Sequence, residues 1–175
     1  MDYRRIGSEG VIAGLLGASA IAMWFLIVDG VAREPFFTPA MLGSALFFGL
    51  DDPLAVELAV APVLAYSMVH VLSFVMVGLL ASALACQAER SPSTLFLAVV
   101  LFAVFGFGFF TVWTILGPPI LGALAWWSVA TGNGIAALVM GYYLWRRHPR
   151  LREQLAARPL GTTDDDTEGG IRAPE

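Results

Sequence analysis

Four stretches of this chain, residues 10–28, 62–86, 94–116 and 120–145, contain no Asp, Glu, Lys or Arg. Each is long enough to cross a hydrocarbon core about 30 Å thick, which takes about 20 apolar helical residues. Lipid offers the backbone no hydrogen bonds, so runs of this kind fold as helices. The expected fold class is therefore all-α: a polytopic membrane protein, a four-transmembrane-helix bundle with spans at about 10–30, 62–88, 93–116 and 119–147. Composition agrees with a lipid solvent. Hydrophobic residues make up 58% and charged residues 14%, against about 45–50% and 25% in soluble domains. The first run follows Arg4 and Arg5, but it exceeds the apolar core of about 7–15 residues in a cleaved signal peptide. It is read as a retained span.

Punctuation between the runs supports this division. Ser91 with Pro92 can cap the third span and "GPP" at 117–119 turns into the fourth. Asp52 with Pro53 can start a helix that bends near Pro62, with 53–61 in the interface. Pro149 stops the fourth helix. Residues 1–9 form an N-terminal segment. Residues 148–175 form a largely disordered tail, with a short basic helix over 150–158.

All ten basic residues are Arg, as expected of a GC-rich bacterial coding sequence. Their placement gives an orientation. With both termini cytoplasmic, Arg4, Arg5, Arg90, Arg146, Arg147, Arg150, Arg152, Arg158 and Arg172 lie inside and only Arg33 outside. The opposite face is acidic, with Asp29, Glu34, Asp51, Asp52 and Glu57. The expected location is the inner (plasma) membrane, multi-pass. The lipid bilayer is the partner that composition implies, and no basic patch with interleaved aromatics suggests nucleic acid.

One segment resists the simple scheme. Residues 34–53 read "EPFFTPAMLGSALFFGLDDP". Its apolar middle, 39–50, gives only about 18 Å of helix, too short to cross. A further crossing would also separate the basic tail from Arg4 and Arg5. We expect a short helix over about 38–50, with Thr38 as its cap and Pro39 in its first position. It should be interfacial or re-entrant on the outer side.

Helices in lipid associate through close packing and polar contacts. Small residues recur four apart: Gly10, Gly14, Ala18 and Ala22 in the first span, Gly78 and Ser82 in the second, Ala130 with Gly134 and Ala137 with Gly141 in the fourth. These faces are expected to pack the chain's own bundle, with a homo-oligomer or larger membrane complex as the alternative. The Phe-rich third span, with Phe102, Phe105, Phe107, Phe109 and Phe110, reads as lipid-facing bulk. Trp24, Trp113, Trp126 and Trp127 at one level, and Tyr142, Tyr143 and Trp145 at the other, read as interfacial belts.

Ionisable groups within a span are the default functional candidates, and His70 is the one here. Ser67 and Ser73 flank it at helical spacing. Asn133, within "TGNG", is the other polar group at depth. We read His70 as a neutral imidazole bonded to a hydroxyl or to a neighbouring helix's carbonyl, and Asn133 as an interhelical donor. A bis-histidine haem needs a second histidine at similar depth, and His148 follows the fourth span. A single cysteine, Cys86, excludes a disulfide and a cysteine-based metal motif. No nucleotide-binding glycine loop, HExxH or GxSxG occurs. No cofactor or metal is expected. The functional expectation is a non-enzymatic accessory or self-associating membrane subunit. A small transporter or channel using His70 and Asn133 is the first alternative, and a membrane redox-complex subunit the second.

Overall fold

The structure is a computed structural model that describes residues 3–32, 34–49, 52, 56–89 and 126–157. Of these residues 89% are helical and none is in a strand. Among the described residues five helices follow one another: α1 (Tyr3–Ala32), α2 (Phe37–Phe47), α3 (Val60–Ala88), α4 (Trp126–Arg147) and α5 (Pro149–Ala157). The third expected span, its Ser91–Pro92 start and the "GPP" turn lie outside the described residues.

Among the described residues two helices, α1 and α3, are long and apolar enough to cross a membrane. α4 has 22 residues, enough for about 33 Å, but its described part is less apolar because it carries Asn133 and several aromatic residues. α1 and α3 pack antiparallel through glycines. A Cβ on Gly78 would overlap the Gly10 carbonyl and the Gly14 backbone, and one on Gly14 would overlap the Phe74 carbonyl. Without side chains at these positions the two backbones touch, which multiplies dispersion contacts along the seam. Gly17 makes room for α4 in another way, since the Met140 side chain fills the space a Cβ there would take.

The packing faces follow a spacing of four. On α4 Ser128, Gly132, Ala136, Met140 and Leu144 are buried, and His148 just past its end continues the series. On α1 the buried positions include Gly10, Gly14 and Ala18, while Ala22 is exposed. The α4 stripe expected to pack, Ala130, Gly134, Ala137 and Gly141, is exposed instead. The reason is steric. The inward ladder combines Gly132, which lets Trp24 approach, with Met140, which fills the space beside Ala13. The all-small stripe would leave that space empty.

The outward faces of α1 and α3 are apolar. Leu15, Leu16, Met23 and Ile27 on α1 are exposed, as are Leu64, Met68, Leu72, Met76 and Leu80 on α3.

α2 forms at the expected place, but its start differs. It begins at Phe37, with Phe36 in the capping position in the left-handed region (φ 68°). Thr38 does not cap. It sits in the second helical position, and Pro39 in the third rather than the first. The first-turn donors are all accounted for. Phe37 N–H reaches Glu34 O, Thr38 N–H reaches Asp29, Pro39 has none, and Ala40 N–H reaches Phe36 O. Gly43 lies against the Pro62 carbonyl, so α2 is pressed onto the start of α3. α3 itself begins at Val60, and residues 56–59 are non-helical. The expected continuous helix from Asp52 and Pro53 through a bend at Pro62 is interrupted at 56–59, and 53–55 lie outside the described residues. Pro62 falls in the first turn, where its missing N–H has no helical acceptor to lose. The expected basic helix after Pro149 is α5.

Candidate functional site: a junction of ionic groups at one end of the bundle

The antiparallel arrangement brings three helix ends together: the start of α1, the end of α3 and the end of α4. Four side chains with charge or ligand character meet there. His148 is fully buried and Glu9 is 7% exposed. Glu9 Oε2 lies 3.2 Å from His148 Nε2, and Glu89 Oε1 lies 3.0 Å from His148 Nδ1. Arg5 closes the circuit. Its Nε donates to Glu9 Oε1 at 3.1 Å, and its Nη1 is 3.7 Å from Glu89 Oε2. Each carboxylate therefore faces Arg5 with one oxygen and His148 with the other. Burying two carboxylates without cations beside them would cost several kcal/mol, so the alternation explains how they are tolerated. Cys86, one turn before Glu89, joins the edge of the group. Its sulfur, a Glu9 oxygen and a His148 nitrogen lie within 4.8 Å of one another.

Arg5 has a second task. Its Nη2 donates to the Arg147 carbonyl at 2.8 Å, at the C-terminus of α4. The final carbonyls of a helix lack intrahelical donors, and the end carries partial negative charge. At the opposite end of α1, Asp29 (3% exposed) takes the Thr38 N–H on Oδ2 and the Thr38 hydroxyl on Oδ1, both at 2.7 Å. α1 thus places a cation at the negative end of α4 and an anion at the positive end of α2. The same far end is tied by Trp24 Nε1, which donates to the Ser128 carbonyl at 2.9 Å and meets Trp127 edge-on. At the near end Arg146 and Arg147 lie over the Tyr142 and Tyr143 rings, 5.6 and 5.5 Å from their centroids.

The residues expected from sequence to form an intramembrane polar site do not converge. His70 Nε2 is 3.3 Å from the Ala18 carbonyl of α1, and the ring sits between Tyr66 and Phe74. Ser67 donates to Val63 O in its own helix at 2.7 Å. Ser73 is exposed, as is Asn133 on α4. Ser82 is fully buried on the α1-facing side of α3. The groove between α1 and α4, about 520 Å³ and lined by Leu16, Leu138, Tyr142 and Arg146 among others, is open and almost wholly apolar.

Sequence reasoning missed the junction. It singles out neither Glu9 nor Glu89, and it places His148 past the fourth span, in the tail. The available signal was depth: a positive-inside topology puts residues 5, 9, 89 and 148 at one level, so their burial as a group could have been tested there. The single cysteine excludes a thiolate-only metal motif. It leaves open a mixed set with one ligand from each of three helix ends.

Comparison with known protein families, with characterised proteins and with solved structures found no match. What the described residues define is an all-helical fold with two helices long and apolar enough to cross a membrane.

Proposed function

We propose that this chain is an integral inner-membrane protein of four spans with both termini cytoplasmic, acting as a non-enzymatic accessory or self-associating membrane subunit. The observation that carries the membrane reading is the separation of charge from apolar surface. α1 and α3 are strongly apolar, yet only 28% and 11% of their most apolar windows are buried. The core helix of a soluble domain would be mostly buried. Exposed apolar faces of this extent in water would be aggregation sites. Along α1 the buried carboxylates Glu9 and Asp29 stand twenty residues apart, which is about 30 Å and equals the thickness of a hydrocarbon core.

Four spans are supported by the placement of helix ends. Ala88 ends α3 at the Arg5 end of the bundle, while α4 begins at the Trp24 end. The chain between them has to travel the bundle's length, and its sequence there contains the apolar run 94–116. Arg4, Arg5, Arg146 and Arg147 then share one side, as the positive-inside rule requires.

The subunit reading rests on the α4 stripe of Ala130, Gly134, Ala137 and Gly141, which is turned away from α1 and suits close approach by another helix. Native-mass measurement of the full chain in mild detergent tests it. A mass above that of one chain, from copies of itself or from a co-purifying partner, is expected. A strictly monomeric particle with no partner overturns it.

A further inference from the structure

We propose that Glu9, Cys86 and His148 form a binding site for one divalent transition-metal ion of borderline softness, Zn²⁺ being the best fit. This goes beyond the membrane-subunit reading and does not depend on it. The donor set is one imidazole nitrogen, one carboxylate oxygen and one thiolate sulfur, the mixture that favours zinc over magnesium or calcium.

Three observations converge. The first is spacing. In a tetrahedral site with bonds of about 2.0–2.1 Å, a nitrogen and an oxygen ligand are about 3.3 Å apart. His148 Nε2 and Glu9 Oε2 are 3.2 Å apart. The Cys86 sulfur is within 4.8 Å of a Glu9 oxygen and a His148 nitrogen and has to close to about 3.5 Å, the edge set by a metal–sulfur bond of about 2.3 Å.

The second is unmet polarity. His148 is fully buried, and neither of its ring nitrogens has a hydrogen bond of acceptable direction; Glu9 Oε2 is likewise buried without one. Buried polar atoms in native proteins are satisfied in more than about 90% of cases. A cation between Nε2 and Oε2 satisfies both at once.

The third is the support around the ligands. Arg5 occupies Glu9 Oε1 and leaves Oε2 for the ion. Glu89 Oε1 faces Nδ1 from 3.0 Å. A carboxylate on the far nitrogen of a metal-bound histidine fixes the tautomer and orients the ring. A small turn of the ring that aligns Nδ1–H with Glu89 Oε1 leaves the Nε2 lone pair for the metal. Binding displaces the Cys86 thiol proton to solvent, and a water or chloride completes the tetrahedron.

Cobalt(II) titration of the purified full chain in detergent tests the site, because tetrahedral Co²⁺ reports thiolate ligation by a charge-transfer absorption. One Co²⁺ per chain is expected, with that absorption present and lost on addition of Zn²⁺. Cys86→Ser should abolish the charge-transfer band while the helical circular dichroism stays unchanged. Glu89→Gln should weaken affinity about ten- to a hundredfold and leave the band in place. A band that survives in Cys86→Ser, or uptake that never saturates at one ion per chain, overturns the proposal. His148→Ala is the direct ligand deletion. If it fails to fold, Cys86→Ser still decides, since the thiol is only half-buried and the hydroxyl is nearly isosteric.

Discussion

Asp29, in the last turn of α1, accepts both the N–H and the hydroxyl of Thr38, each at 2.7 Å. The N-terminus of α2 is therefore capped by another helix, at a site where the carboxylate is almost fully buried. Charge-assisted bonds of this kind are about twice as strong as neutral ones. Asp29→Ala should destabilise the protein by about 2–3 kcal/mol, and Thr38→Val by about 1 kcal/mol. The double variant should cost less than the sum, because the partners are in direct contact. Thermal unfolding in detergent checks all three.

The glycine seam gives a contrast between positions. Gly14→Leu and Gly78→Leu place side chains where backbone already sits, so α1 and α3 must separate. The expected cost is about 3 kcal/mol or more. Gly7→Ala and Gly30→Ala on α1, which meet nothing among the described residues, should be neutral or slightly stabilising, since alanine is favoured over glycine in a helix by about 1 kcal/mol. Comparing unfolding midpoints of the four variants measures the difference.

His70 should prove dispensable for the fold. It donates to the Ala18 carbonyl, an oxygen that already serves α1's own ladder, so removing the imidazole leaves no orphaned acceptor. His70→Leu should change stability by less than about 1 kcal/mol. A substantially larger loss would mean that the ring has a partner beyond the Ala18 carbonyl.

Topology is open to labelling. On a Cys86→Ser background, Glu57→Cys should react with an impermeant thiol reagent in intact cells. Arg150→Cys should react only after the membrane is opened. Both wild-type positions are exposed, so access depends on side and not on burial. Ser44, though central to the short helix, is buried against its neighbours and is a poor reporter. The reverse pattern would invert the orientation.

How much was legible in the sequence differs from helix to helix. The two most apolar helices were readable because length and lack of charge suffice to find them; Val60–Ala88 was foreseen within two residues at its start. The short helix was readable in place and length but not in its cap. Its cap residue lies nine positions upstream in another helix, and local capping patterns see only neighbours. On α4 the sequence offers two stripes at a spacing of four. Small size marks one of them, but the buried one mixes Gly132 and Ala136 with Met140 and Leu144. Choosing between them takes the shape of α1. The Glu9–His148 contact spans nearly the whole chain, and no local signal announces it.

The ring of Arg5, Glu9, Glu89 and His148 is assembled from groups far apart in chain order. Two carboxylates and one guanidinium have emerged by residue 89, and the imidazole comes only after α4. A nascent chain halted before that point holds an acid in excess at the junction of α1 and α3. The last helix brings the group that completes the ring, and its own C-terminus is tied down by Arg5 in the same movement. The ring thus joins residues from the first helix to residues at the end of α4, so the junction is complete only when α4 has docked.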